Sequence, residues 1–340
     1  MKQTLSRVVA GESMSEQEAF ETMNTIMNGG ATTGQLMSML SVMSYRGETV
    51  EEMTGFVRAM RENMTKMDVD DASIVDTCGT GGDGASTFNI STAVSLVLAS
   101  MGVKVAKHGN RKVSSKSGSA DVLESLGVPI DTTPEQGAKA LEEKGMTFMF
   151  APLYHQAMKH AGPARQELGF RTVFNLLGPM SNPANARRQL IGIYDTAYAE
   201  KMAETLYKLG SEHVLLATGR DGLDEITITG ETDLVEMKSG NIRRFTVKPE
   251  DFGMARGNIE DIQITETEES AAIIKDVLYN RAGETAASIV TLNAAAGLYV
   301  AGRAETLEDG VMQVREAIQS GRTKEYYESI ASERENRQYA

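Results

Sequence analysis

The sequence is poor in the features that would suit it to crosslinking, membrane insertion or nucleic-acid binding. Its 340 residues include one cysteine, Cys78, so no intrachain disulfide can form, and that usage suits a reducing compartment. No stretch approaches the ~18 consecutive apolar residues of a membrane span, and the N-terminal MKQTLSRVVAGESMSEQEAF lacks an apolar run of signal-peptide length. The expectation is a cytoplasmic protein with no membrane partner. Lysine and arginine total 34 against 47 acids, a formal charge of -13, which argues against nucleic acid as the main partner. No proline-rich or serine-rich linker, internal repeat or low-complexity tract stands out, so domains should pack tightly. No G-x-x-x-x-G-K-[ST] occurs, which excludes a P-loop. His155 and His160 are five apart, which does not give the shared helix face of a zinc-binding HExxH.

What is present divides into two patterns. Over the first 65 or so residues, capping boxes precede apolar runs of helical period: Ser15 with Glu18, Thr32 with Gln35, and Thr49 with Glu52. Short helices joined at Gly29-Gly30 and Gly47 are expected, with the many methionines (Met23, Met27, Met37, Met39, Met43, Met53, Met60, Met64) as adaptable core packing. From residue 73 strands alternate with helices. Strands are expected at 73–77, 103–107, 146–151, 189–194 and 213–218, and helices at 91–101, from Thr133, at 197–209, 271–278 and 285–301. That alternation predicts an α/β protein: a small, mostly helical N-terminal region, then a largely parallel central sheet flanked by helices.

The segment SIVDTCGTGGDGASTFNISTAV sets Gly79, Gly81, Gly82 and Gly84 between a strand and a helix. Glycines there let backbone amides close on an anion, and the helix N-terminus adds favourable partial charge. Gly79, Gly81 and Gly84 satisfy G-x-G-x-x-G, but a dinucleotide site expects an acid about 20 residues on for the ribose. No Asp or Glu occurs between Gly84 and Ala120. That window carries Lys104, Lys107, His108, Arg111, Lys112 and Lys116 with Ser114, Ser115, Ser117 and Ser119. Such groups neutralise and orient phosphate oxygens, so a polyanion site is the better reading than a solvated basic face.

Downstream, GRDGLDEITITG places Asp221, Asp224 and Glu225 in a turn after a strand, at the sheet edge where α/β proteins bind ligands. Carboxylates beside phosphate oxygens suit Mg²⁺. Between His155 and Arg188 the only acid is Glu167, and Arg165, Arg171, Arg187 and Arg188 are candidates for a substrate carboxylate. Cys78 has no neighbouring signature of a thiol nucleophile and reads as a small residue at a strand end.

Four segments then resemble one family. DTCGTGGDGASTFNIST (76–92), KHGNRKVSSKSGSADVLESLGV (107–128), FNLLGPMSNP (174–183) with the stretch around Arg165, and DGLDE (221–225) are similar to the anthranilate phosphoribosyltransferases, with LNAAAGLYVAG in support. Lys112 stands where a small residue is expected. The resemblance implies a helical domain over 1–70, completed by about 165–185, and an α/β domain over 71–340 that binds phosphoribosyl pyrophosphate. It also implies a hinge between them and a homodimer joined through the helical domains.

By the same resemblance Gly79, Gly82, Asp83, Thr87, Asn89, Ile90, Ser91 and Thr92 hold phosphoribosyl pyrophosphate. So do Lys107, His108, Gly109, Asn110, Arg111, Lys112, Val113, Ser114, Ser115 and Ser119. Ser91, Asp224 and Glu225 serve magnesium, expected as two ions. Gly79, Asn110 and Arg165 position anthranilate, and Lys107, His108, Asn110 and Arg165 form the catalytic set. A pyrimidine nucleoside phosphorylase has a similar architecture but a different glycine loop. A catalytically silent nucleic-acid-binding relative conflicts with the overall acidity and the intact DGLDE and KHGNR. The chain shows no fused amidotransferase or isomerase domain, and a separate anthranilate synthase chain is a candidate partner.

Overall fold

A computed structural model describes residues 1–112 and 116–331. The N-terminal region forms α1 (Lys2–Val9), α2 (Glu16–Met27), α3 (Thr33–Arg46) and α4 (Val50–Glu62). The three capping boxes are all closed: Ser15, Thr32 and Thr49 each accept from the amide three residues on, and Glu18, Gln35 and Glu52 return the bond. Each cap is worth about 1 kcal/mol. Glu52 does more than cap. Its fully buried carboxylate also accepts from Arg46 at 2.7 and 2.9 Å and from the Met14 amide at 2.9 Å, which ties three segments together. Met23, Met27, Met39, Met43, Met53 and Met60 are buried in the apolar cluster these helices share, whereas Met37 is only partly buried against it and Met64 is buried outside it.

Among the described residues the sheet has seven strands: β1 (Val75–Gly79), β2 (Val105–Gly109), β3 (Met146–Phe150), β4 (Arg188–Gly192), β5 (His213–Gly219), β6 (Thr232–Lys238) and β7 (Asn241–Val247). Their order is β3-β2-β1-β4-β5-β6-β7, parallel from β3 to β5 and antiparallel beyond. The chain builds β1, β2 and β3 outward in one direction, then crosses to start β4 on the other side of β1. That reversal is the topological switch at which such sheets bind ligands, beyond the strands' carboxyl ends. Register brings Gly79 opposite Gly192, so β1 and β4 end level with one another at the crevice.

Strands β1 to β6 are largely buried on both faces, with β7 as an exposed edge, and successive residues feed opposite layers. Leu190, Leu215 and Leu234 join the cluster that holds α5 (Ile90–Ser100) and the helix Glu284–Val300. Ile191, Leu216 and Val235 join the one shared with α2, α3 and α4. The helices Gly162–Leu168 and Val173–Leu177 also belong to that second cluster and pack on α3 and α4.

Observed boundaries differ from expectation by one or two residues at most strands, and β1 runs to Gly79 because pairing with β4 carries it into the glycine turn. The hairpin β6–β7 and the helices Leu307–Gln319 and Arg322–Ala331 were not among the expected elements. The hairpin turn is Ser239-Gly240, with φ of 51° and 84°, the positive pair a two-residue hairpin needs.

Candidate active site

The glycine turn leaves the end of β1 and meets the loop that follows β5. The Gly81 amide donates to Asp224 Oδ2 at 2.8 Å, and a Cβ on Gly79 would lie 2.7 Å from that same oxygen. The acidic loop is fixed from behind by Asn293 in the helix Glu284–Val300. Its Oδ1 accepts from the Ile226 amide at 3.0 Å, and its Nδ2 donates to the Ile226 carbonyl at 2.8 Å. Asp224 and Glu225 therefore stand at the β1–β4 crevice on a rigid support. Asp221 does not join them, because Thr227 and Thr229 donate to its Oδ2 at 2.6 and 2.5 Å.

Burial pushes both Asp224 and Glu225 above the usual carboxylate range, and nearby negative charge adds to it: Asp83 against Asp224, and Asp224 against Glu225. The Ser91 amide, at the start of α5, and the Lys107 ammonium act the other way on Glu225. Lys107 is 1% exposed, and its Nζ donates to the Thr77 carbonyl at 2.6 Å and to Ser91 Oγ at 3.1 Å. Burial pulls its pKa down while Asp76, Cys78 and Glu225 hold it up. Ser91, Glu225 and Lys107 thus form one continuous polar cluster, an oxygen-rich donor set beside a fixed positive charge.

The residues expected to hold the phosphates gather around the start of α5. Thr87 pairs with Gln263 in an isolated bridge, whose side chain holds the Ala85 carbonyl at 2.9 Å. Asn89 accepts from Ser270 Oγ at 2.8 Å and reaches the Ser117 carbonyl at 3.3 Å, so it connects α5 to the loop after β2. Ile90 and Thr92 are buried, and Asp83 Oδ1 accepts from the Ala85 amide at 3.1 Å. Gly109 is hemmed in by Phe148 and by Ser119, whose hydroxyl donates to the Asn110 carbonyl at 3.3 Å. Arg111 is engaged by Asp121 and Glu124, each at 2.9 Å, and Lys112 is exposed. Val113, Ser114 and Ser115 lie outside the described residues.

A cavity of about 480 Å³ opens on the other flank of the turn. Gly79, Thr80, His108, Gly109 and Asn110 form one wall, and most of the remaining lining comes from the stretch 151–179. Arg165 projects into it with its guanidinium over the Phe174 ring, 5.4 Å from the centre. Among the described residues no hydrogen bond or ion pair reaches that guanidinium, and burial alone lowers its pKa. His108 is neutral: burial, then His155 and Lys107, pull its pKa down to about 3, against a stabilising interaction with the Gly178 backbone. Its Nε2 is buried and has no partner. His155, whose ring is 4.9 Å away, is likewise pulled down to about 4 by burial. Cys78 lines the cavity too, but burial raises its thiol pKa, so it is not an activated nucleophile. A second hollow of about 540 Å³ adjoins Asp83, Gly84 and Ala85, so the turn lies between the two.

Two of the four candidate arginines are elsewhere. Arg187 and Arg188 precede or begin β4, at the opposite end of the strand from Gly192, and Glu212 binds both at 3.5 and 3.3 Å. Arg188 also donates to the Val300 carbonyl at 3.1 Å. They are structural, and linear proximity to Arg165 misled because β4 separates its two ends by its full length. Residues that the sequence reading did not single out include Thr77, Asp76, Ser270 and Phe174. The signal for Asn293 was the segment LNAAAGLYVAG, whose one amide side chain stands in an otherwise apolar run.

The fold and crevice define a glycosyl transferase of two parts: the family model for a helical bundle domain matches residues 2–64, and that for an a/b domain matches residues 71–324. Anthranilate phosphoribosyltransferase of Geobacillus kaustophilus is 57% identical over 97% of this chain and 96% of its own. That of Halalkalibacterium halodurans is 51% identical over 97% and 96%. The crystal structure of the Thermus thermophilus enzyme superposes with a TM-score of 0.90 at 39% identity, covering 96% of this chain and 98% of that one. The chain belongs to the anthranilate phosphoribosyltransferase family. The Saccharomyces cerevisiae enzyme, solved in complex with PRPP and Mg, shares the fold at 23% identity, with a TM-score of 0.88 over 98% and 97% of the two chains.

Proposed function

We propose that the crevice at the β1–β4 switch carries out the family's reaction with a division of labour set by the glycine turn. The reaction transfers the phosphoribosyl group of 5-phosphoribosyl 1-pyrophosphate to the amine of anthranilate and releases pyrophosphate, a step of tryptophan biosynthesis. One observation carries the assignment of the acceptor: the unpaired Arg165 guanidinium, stacked on Phe174 in a cavity whose wall is the glycine turn itself. An aromatic acid fits there, with its carboxylate on Arg165 and its ring among apolar side chains.

Phosphoribosyl pyrophosphate is bound by Gly79, Gly82, Asp83 and Thr87, the Asn89–Thr92 run at the start of α5, and Lys107, Ser115 and Ser119. The helix N-terminus and the buried ammonium supply fixed positive potential. Breaking the C1–O bond sends the electron pair to the pyrophosphate, and the amine lone pair closes on C1. Lys107 and the turn amides stabilise the growing negative charge, each well-placed donor being worth ~3 kcal/mol by analogy with oxyanion holes. Ser91, Asp224 and Glu225 fit magnesium, because two crowded carboxylates with elevated pKa values and a hydroxyl form an all-oxygen set. Bound there as two ions, the metal would supply charge neutralisation for the leaving group.

An aromatic amine is uncharged at neutral pH, so it requires placement more than deprotonation. Asn110 and Arg165 align the acceptor, and neutral His108 lines the same cavity beside them. With its pKa near 3, that imidazole is a poor resting place for the amine's proton, which is lost to water or to the departing pyrophosphate once the C1–N bond has formed. Residues 1–70 with 165–185 act as a helical domain that closes over 71–340 about a hinge. A homodimer through the helical domains accounts for the exposure of Val9 and Tyr45, at 60% and 95%. A cytoplasmic setting suits the single buried cysteine, and a separate anthranilate synthase chain is a partner to be sought by copurification. Mixing the chain with anthranilate, phosphoribosyl pyrophosphate and Mg²⁺ tests the assignment through the loss of anthranilate fluorescence. Loss that requires all three supports it, and no loss rejects it.

A further inference from the structure

Arg171 stands where the glycine turn meets the helices that carry Arg165 and Phe174. Its guanidinium lies over the Tyr194 ring, 4.1 Å from the centre, and its Nε is 3.3 Å from the point a Cβ on Gly82 would occupy. Gly82 has φ +76°, a conformation that side chains other than hydrogen resist, so the guanidinium packs on bare backbone. Both surfaces that hold it belong to the crevice. Tyr194 follows β4 and its amide donates to Thr80 Oγ1 at 3.2 Å, within the turn. The Arg171 carbonyl in turn accepts from Ser44 of α3 at 3.4 Å.

In a chain with thirteen more acids than bases, arginines such as Arg7, Arg58, Arg111 and Arg220 each hold a carboxylate. Arg171 has none. Among the described residues no hydrogen bond or ion pair reaches its guanidinium, although stacking on Tyr194 fixes the plane of its donors. It is also absent from the lining of the aromatic cavity, where Arg165 serves the acceptor. Its neighbour is the tip of the turn, one residue from Asp83 and on the path from the phosphate-side groups to the acidic loop. A planar, preoriented, unpaired donor fork at an anion-binding turn is the arrangement that recognises phosphate oxygens bidentately.

We infer that Arg171 binds the pyrophosphate as it leaves, neutralising its charge from the helical side while Asp224 and Glu225 serve the metal side. This rests on the turn being the pyrophosphate site. Because negative charge on the leaving group grows along the reaction, the contact strengthens toward the transition state and persists to the product complex. Arg171 is thereby a leaving-group residue, separate in role from the acceptor clamp at Arg165.

The test uses the full chain and inorganic pyrophosphate with Mg²⁺ as a product inhibitor. Arg171→Gln is expected to weaken pyrophosphate inhibition about tenfold and to raise KM for phosphoribosyl pyrophosphate similarly, with KM for anthranilate within about twofold. Tyr194→Phe, which keeps the ring platform, is expected to match the wild type. Unchanged pyrophosphate inhibition in Arg171→Gln overturns the inference, and so does a change confined to the anthranilate KM. Should Arg171→Gln not fold, Arg171→Lys decides: inhibition weakened about threefold supports the bidentate role, and wild-type inhibition overturns it. A wild-type chain that consumes no anthranilate in the complete mixture rejects the functional reading itself, before any variant is compared.

Discussion

Gly192 and Asp224 are in such close backbone contact that a Cβ on Gly192 would overlap the Asp224 carbonyl. The end of β4 is thus the seat on which the acidic loop rests, and the strand must finish in glycine. Gly192→Ala should displace Asp224, lower stability by about 2–3 kcal/mol and remove most activity. Denaturant melts and turnover measured side by side check this. Normal activity in a stable alanine variant would show that the loop does not depend on the seat.

Asp224→Asn combined with Glu225→Gln should cut turnover by about a thousandfold or more at saturating Mg²⁺. The fold should survive, since neutral amides relieve the repulsion and desolvation that raise both carboxyl pKa values. Metal-free thermal melting is expected to stay level or rise. Near-normal turnover in the double variant would remove the metal assignment.

Arg165→Ala should raise KM for anthranilate by about tenfold or more while leaving that for phosphoribosyl pyrophosphate within about twofold. Arg165→Lys should recover only part of the loss, because an ammonium cannot reproduce the bidentate fork. Steady-state kinetics with each substrate varied at saturation of the other read the difference. An unchanged anthranilate dependence in the alanine variant would reject the carboxylate clamp.

Glu48, in the loop between α3 and α4, is 2% exposed, and among the described residues its Oε2 has no hydrogen-bond partner. Burial first, then Glu52, push its carboxyl up to about 7 from an ordinary 4.5, against Lys201 and Arg46. The Lys201 ammonium binds the Glu48 backbone carbonyl at 2.8 Å. Between those two pH values the folded chain keeps a proton that the unfolded chain has released. Glu48 therefore lowers stability as pH rises from about 4.5 to about 7, by on the order of 3 kcal/mol. Glu48→Gln should melt higher than wild type at pH 8, with the gap closing toward pH 4.5. A gap that does not change with pH would place the carboxyl's titration elsewhere.

Local signals in this sequence translated directly into structure. A capping box closes within four residues, so Ser15, Thr32, Thr49 and Thr133 could be read without knowing what the helices pack against. The glycine turn and the acid-free window after it were legible for the same reason. The hairpin β6–β7 was also written locally, as two seven-residue runs separated by Ser239-Gly240, and was passed over for want of strong β-branched alternation. What local reading could not supply is register. Whether Arg165 or Arg188 faces the crevice depends on which end of β4 each lies near, and that is decided by the crossover from β3. The pinning of Ile226 by Asn293 joins residues 67 apart, and no periodicity encodes such a bond.

On the proposed assignment the electrophile and the acceptor are handled by different kinds of chain. Strand ends from across the sheet converge on the phosphate side, whereas most of the acceptor cavity is contributed by the single stretch 151–179. On the proposed assignment, acceptor preference is therefore concentrated in one contiguous segment. Exchanging the cavity-lining residues of that stretch with Arg171 kept is expected to alter which amine is taken while sparing the leaving-group contact, so new substrates can be sought by segment exchange rather than by rebuilding the sheet.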